Sequence, residues 1–286
     1  MQYSPNSSGI PFNLFRFFVS RSSSWLLVAL ALSLAACGGA STASSPAPPP
    51  EAVRTRLEGI VTSAVGAEVP GAVIQIMTPD WTWTWAAGNA QITPPVPAKS
   101  NMYFRMASVS KTFTATAILK LAEEGKLSLD DPVSKYVPDV PNGDNITVAE
   151  LLEMRSGLYN YTEAPEVWES MDRDLTKDWS PAELLAIAFK RPPNFPPGTA
   201  YEYNNTNYTL LGLIIEKGYG KPLGQVMQER LFGPLGMRHT MLPASADNTI
   251  PEPYTHGYGY GSTSAVLSDA APYSLEVVAA ARAGTL

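Results

Sequence analysis

Apolar residues recur at Val53, Leu57, Ile60, Val61, Ala64 and Val65, the spacing that lays one face of a helix from Ala52 to Val65 on a core. The period then shortens. Gly71 to Met77 reads as a strand, and Thr78-Pro79-Asp80 as a turn into Trp81-Thr82-Trp83-Thr84-Trp85. That alternation puts three tryptophans on one strand face and threonines on the other. Such a face is expected under a layer of helices, although an aromatic platform for a sugar has the same pattern. Tyr103 to Met106 reads as a third strand, delivering the chain to Ser108.

From Ser110 the pattern turns helical and runs to Gly125, a natural C-cap after Leu121-Ala122-Glu123-Glu124. A loop at 127–132 precedes a short Tyr136-Val137-Pro138 segment. Thr147-Val148-Ala149-Glu150 is a capping box opening a helix that should stop at Gly157. Ser180-Pro181-Ala182-Glu183 is a second, with proline at the first helical position, opening Leu184 to Phe189. Helices are also predicted from Asn207 to Glu216 and from Leu223 to Leu231. Residues 52–115 thus form the sheet part and about 116–240 the helical part. The expected class is α+β: an antiparallel sheet flanked by helices, with an inserted all-α subdomain.

The first 37 residues change the picture. Arg16 and Arg21 form a positive region, and Trp25 to Ala36 is an uncharged apolar run too short to span a bilayer. It ends in Leu34-Ala35-Ala36-Cys37, which resembles a bacterial lipobox with Cys37 as the lipidated residue; an ordinary signal peptide is the alternative. Residues 38–51, rich in Pro, Ser and Ala, read as a tether to the domain at 52–286. The expected location is extracytoplasmic, anchored to a bacterial membrane. Cys37 is the only cysteine, so no intrachain disulfide forms. With 45% hydrophobic and 16% charged residues, a net charge of −6 and no basic stripe, the chain is a globular protein without a nucleic-acid partner.

Two stretches carry chemistry. In Ser108-Val109-Ser110-Lys111 the serine and lysine stand three apart at the start of a helix, so hydroxyl and amine share a face near free backbone N–H groups. A nucleophile, an amine and an anion-favouring helix end are the parts of an acyl-transfer site. In Tyr203-Asn204-Asn205, behind the loop Pro196-Pro197-Gly198, a phenol beside an ammonium is a candidate base. The Asn205 amide can accept from Lys111 and donate to a substrate carbonyl. Taken alone, this stretch reads first as a packed Tyr/Asn turn and only second as a site. A G-x-S-x-G elbow is absent from the sequence, His239 and His256 sit in turn-like contexts poor for a catalytic triad, and no His/Cys cluster suggests a metal.

Ser108-x-x-Lys111 followed by Tyr203-x-Asn205 resembles the penicillin-recognising serine hydrolases. The likeness is strongest to the branch of class C β-lactamases and D-alanyl-D-alanine carboxypeptidases, which also includes esterases. Leu151-Leu152-Glu153-Met154-Arg155-Ser156-Gly157-Leu158, Asn204 to Gly212 and Phe232-x-Pro234-Leu235-Gly236-Met237 resemble that branch as well. The likeness runs from about Ala52 to His256. It implies a β-lactamase/transpeptidase-like fold and a hydrolase needing no cofactor or metal. By the same resemblance Ser108 is the nucleophile, Lys111 its proton partner, Tyr203 the general base and acid, and Asn205 a substrate ligand. The substrate would be a β-lactam, a D-Ala-D-Ala peptide or an ester. The family's third motif, Lys-Thr-Gly or His-Thr-Gly on an edge strand, has no counterpart; Lys111-Thr112-Phe113, His239-Thr240-Met241 and Arg282-Ala283-Gly284 do not qualify. The expectation is therefore a fold whose C-terminal strands are missing, and an inactive binding lipoprotein stands as the rival.

Overall fold

The structure is a computed structural model, and it describes residues 47–66, 69–174, 177–244, 247, 249–260 and 274–277. The leader, the lipobox at Cys37 and Arg282-Ala283-Gly284 lie outside the described residues.

The N-terminal helix, α1, runs Glu51–Ala64. Strand β1 is Gly71–Met77 and β2 is Thr82–Gln91; they pair antiparallel, from Gly71 opposite Gly88 to Met77 opposite Thr82. Trp83 is buried and stacks on Trp85 at 6.3 Å, and α1 packs on this strand, so the tryptophan face is covered in part by a helix. The third strand, β3, is Val96–Pro97, not Tyr103 to Met106. Tyr103 makes one isolated bridge to Tyr254. The apolar residues that suggested a strand there, Phe104 and Met106, are 47% and 37% exposed, so no buried face holds them in an extended ladder.

Helix α2 is Lys111–Glu123 and α3 is Val148–Leu152. The capping box of α3 is present, but the helix stops five residues short of Gly157. Met154 takes a φ of +57°, and the Arg155 N–H reaches back to the Glu150 carbonyl at 2.8 Å, a left-handed closure that ends the helix early. Helix α4, Pro165–Arg173, was not anticipated, because apolar residues mark barely two turns. Then come α5, Pro181–Phe189, with its capping box, α6, Asn205–Tyr219, and α7, Leu223–Met227. The last continues as a π-helical turn, Gln228–Phe232. Strands β4, Gly257–Tyr260, and β5, Ser274–Val277, form a separate antiparallel pair.

The core sits between α2 and α6. Ile118 and Leu121 of α2, Leu151 of α3 and Leu210, Leu211, Ile214 and Ile215 of α6 have no exposed surface. Each such side chain contributes about 1.5–3 kcal/mol by burial. A smaller cluster of Tyr161, Ala164, Val167, Leu184, Ile187 and Ala188 fastens α4 and α5 to the turn at 159–163. The consequence for function is simple: the packed pair α2 and α6 brings its two N-termini together.

Candidate active site

Ser108 sits in a 3-10 turn, Ala107–Ser110, that feeds directly into α2, whose first residue is Lys111. At three residues per turn, side chains three apart eclipse, so the serine and lysine are stacked. Lys111 Nζ donates to Ser108 Oγ at 3.2 Å. Ala107, just before the serine, holds a φ of +44°, a conformation that costs an alanine on the order of 1 kcal/mol. Ser110 Oγ donates to the Ala107 carbonyl at 2.7 Å and helps to hold that turn.

Tyr203 and Asn205 arrive from the other side, at the start of α6. The loop carrying them is pinned to the end of α3: Gly198 N–H donates to Arg155 O at 2.9 Å and Glu202 N–H to Met154 O at 3.1 Å. The polar run Asn204 to Asn207 is a buried zipper rather than a solvated turn. Asn204 caps α6, Thr206 Oγ1 donates to Tyr159 O at 2.8 Å and Ser156 Oγ donates to Asn207 Oδ1 at 2.6 Å. Asn204, Thr206, Asn207 and Ser156 are all buried and all bonded, so segment 156–162 is held on α6 by side chains in place of a backbone ladder.

The four candidate residues meet. The Tyr203 hydroxyl donates to Ser108 Oγ at 2.6 Å, and Lys111 Nζ donates to Asn205 Oδ1 at 2.7 Å. Lys111 Nζ also lies 5.0 Å from the centre of the Tyr203 ring and 5.6 Å from that of Tyr208. Burial pushes the Tyr203 phenol up, but hydrogen bonding from Lys111, the bond to Ser108 and the lysine's charge together outweigh it, leaving the pKa below the ordinary phenol value. The lysine is 6% exposed, while Ser108 is open to solvent. An accessible hydroxyl between a phenol and a buried ammonium can be deprotonated and can attack a carbonyl.

The histidines have other company. His239 Nδ1 shares a 2.8 Å hydrogen bond with the Tyr103 hydroxyl, and His256 stacks on Tyr254. A cavity of about 730 Å³ lies behind the 3-10 turn, against Met106, Ala107 and Ser110, but Ser108, Lys111, Tyr203 and Asn205 do not line it. Among the described residues no three His, Cys, Asp or Glu side chains gather to hold a metal, and no helix is long and apolar enough to cross a membrane. Sequence reasoning missed Asn160 and Thr162. Asn160 is buried and accepts the Asn205 backbone N–H at 3.2 Å, and Thr162 Oγ1 accepts from Asn205 Nδ2 at 3.1 Å.

Residues 57–283 match the family model described as Beta-lactamase, and the chain belongs to that family of serine acyl-transferring hydrolases. Among proteins it is similar to, penicillin-binding protein 4* of Bacillus subtilis (strain 168) is 31% identical over 198 residues, 66% of this chain and 42% of the relative. A Salmonella agona (strain SL483) protein named as a D-alanyl-D-alanine carboxypeptidase is 27% identical over 65% of this chain and 46% of its own length. The chain spans between 32% and 46% of the length of such curated relatives. Among solved structures, the D-stereospecific amidohydrolase from Streptomyces sp. superposes with a TM-score of 0.65 at 35% identity, covering 73% of this chain and 61% of that one. The D-amino acid amidase from Ochrobactrum anthropi SV3 gives 0.69 at 28% identity, covering 82% and 64%. A class C beta-lactamase gives 0.58 at 26%, covering 81% and 59%.

Proposed function

We propose that the chain is an exported serine hydrolase that forms an acyl-enzyme at Ser108 from a small amide, β-lactam or ester. The observation that carries this reading is the double contact on one exposed hydroxyl: Tyr203 at 2.6 Å and Lys111 at 3.2 Å. In the reactive state Tyr203 is the phenolate and accepts the Ser108 proton. The freed Oγ attacks the substrate carbonyl carbon, and the negative charge that develops on the carbonyl oxygen falls near the Ser108 backbone N–H at the mouth of the turn. The bond to the leaving nitrogen or oxygen then breaks, and Tyr203 returns the proton to it. Water attacks the ester in the second half, with Tyr203 again taking a proton and Ser108 recovering it. Lys111 holds the phenolate by charge throughout, and Asn205, whose carbonyl serves Lys111, offers an amide N–H to the substrate. Similarity to amidases for D-amino acid derivatives and to penicillin-binding proteins supports D-configured amides and peptides as the first substrates to try. An anchor at Cys37 would place the site outside the cytoplasmic membrane.

The test is mass spectrometry of the domain mixed with a fluorescent penicillin and, separately, with D-phenylalanine amide. A covalent adduct on the Ser108 peptide, or amide turnover that Ser108→Ala lowers by ~10³-fold or more, is expected. Neither adduct nor turnover would leave the binding-only reading. A rate unchanged in Ser108→Ala would place the chemistry elsewhere.

A further inference from the structure

An asparagine side chain has two ends of almost the same shape and opposite sense, a carbonyl that accepts and an amino group that donates. Lys111 as an ammonium only donates, so Asn205 can serve it with the carbonyl end alone, as it does at 2.7 Å. The reverse orientation would aim two N–H bonds at a cation. The neighbours of Asn205 make this choice through a chain of obligate donors.

The backbone N–H groups of Asn205 and Thr162 both point at Asn160 Oδ1, at 3.2 and 3.4 Å. A backbone N–H can only donate, so that atom must be the carbonyl oxygen. Thr162 Oγ1 lies 2.9 Å from the same oxygen and gives its one proton there. Its oxygen is left as an acceptor and faces Asn205 at 3.1 Å, so it takes the amino end. The carbonyl end is thereby turned to Lys111. Asn160 is 4% exposed, which leaves little room for water to substitute in the chain. Its own amino group reaches the Tyr203 carbonyl at 3.4 Å and Glu163 Oε1 at 3.3 Å, in agreement with the same assignment.

We infer that Thr162, its proton held by Asn160, fixes which end of the Asn205 amide faces Lys111, and so is a positioning residue of the site. The inference deepens the acyl-transfer reading and rests on it for its kinetic arm. Among the described residues Thr162 hydrogen-bonds Asn160 and Asn205, so its effect reaches the reacting hydroxyl through Asn205 and Lys111. Without the Thr162 hydroxyl the amino end loses its acceptor, the amide is oriented by Lys111 alone, and the lysine's acceptor is held less firmly in place.

The experiment compares Thr162→Val, Thr162→Ala and Thr162→Ser in two readouts. One is the ¹H–¹⁵N side-chain signal pair of Asn205, assigned by its loss in Asn205→Asp; the other is the rate of Ser108 acylation by a fluorescent penicillin, per folded molecule. Loss of the hydroxyl should shift the Asn205 pair, speed its exchange with solvent and slow acylation about tenfold, the usual scale for one lost hydrogen bond. Valine keeps the bulk and alanine does not, so agreement between them isolates the hydroxyl, and serine should restore both readouts. Wild-type signals and rates in the valine and alanine variants would overturn the inference, as would a serine variant as impaired as valine. If wild-type Ser108 is never acylated, the reaction proposed above fails, and the Asn205 signals decide the lock by themselves.

Discussion

Replacing Gly157 with alanine tests whether the turn at 156–158 sets the position of Tyr203. Gly157 has a φ of +74°, and a Cβ added there would lie 1.9 Å from the Phe195 carbonyl oxygen and 2.9 Å from its carbon. Non-bonded atoms in a close-packed interior do not approach so closely, so the backbone at Phe195 must retreat by at least about 1 Å. The positive φ costs alanine roughly 1 kcal/mol by itself. The 2.7 Å bond from Asn194 N–H to Gly157 O stretches as well, which is worth about another 1 kcal/mol. Together with the packing shift, a loss of about 2–4 kcal/mol in stability is expected. The larger effect should be kinetic. Phe195 opens the loop that ends on Tyr203, and the 2.6 Å contact from Tyr203 to Ser108 has no slack for a 1 Å displacement. A misplacement of that size typically costs ~10²-fold in rate. Denaturant unfolding gives the first number. Acylation of the folded fraction, measured where both proteins are native, gives the second. Wild-type acylation with stability within about 0.5 kcal/mol of wild type would refute the coupling of this turn to the site.

Because burial, which raises the Tyr203 phenol, is outweighed by Lys111 and the bond to Ser108 together, acylation should grow with pH along an ionisation below the ordinary phenol range. In Lys111→Met that ionisation should move above the range, as read from phenolate difference spectra; an unmoved ionisation would free Lys111 of the role. Asp131 is held at about 2 by hydrogen bonds from Lys135, Tyr136 and the Ser128 N–H, against an ordinary value of 3.8. Its stabilisation is present above the unfolded value and is lost as pH falls through the folded one, so Asp131→Asn should be less stable at pH 6 by on the order of 1 kcal/mol, with the gap closing toward pH 2 in acid unfolding. Labelled fatty acid should enter the full chain in a bacterial host and not Cys37→Ser, and equal labelling would exclude the lipobox.

Elements whose cause is local were legible. The strand Gly71–Met77 was read with the bounds it has, and both capping boxes, Thr147–Glu150 and Ser180–Glu183, form as written. Each rests on residues within three or four positions of one another. Errors arose where a distant partner decides. The early end of α3 at Leu152 comes from the left-handed turn at Met154, a conformation that a methionine gives no hint of. It is held because the loop from Gly198 to Glu202 docks on the carbonyls of Met154 and Arg155. Phe104 and Met106 alternate as a strand would, but both stay too exposed for the alternation to count.

The site shows the same division in a sharper form. Ser108 and Lys111 were readable because a three-residue spacing on a helix start has one geometric outcome. Tyr203 and Asn205 were readable only with them, since a Tyr/Asn turn alone fits ordinary packing better than chemistry. Asn160 and Thr162 were beyond reach. The one residue of α6 that both bond, Asn205, is 45 and 43 positions away, and Asn-Tyr-Thr in sequence gives no sign that its polar groups face inward. What places them is the pair of long apolar helices, α2 and α6, whose side chains such as Ile118, Leu121, Leu210 and Leu211 carry no chemistry at all. Those residues fix the approach of the two helix starts, and only then does a buried chain of polar partners have a single consistent set of donors and acceptors. The hydrophobic pattern thus determines the polar one here. A substitution deep between α2 and α6, such as Leu211→Ala at ~2–5 kcal/mol, would loosen the polar network without touching it.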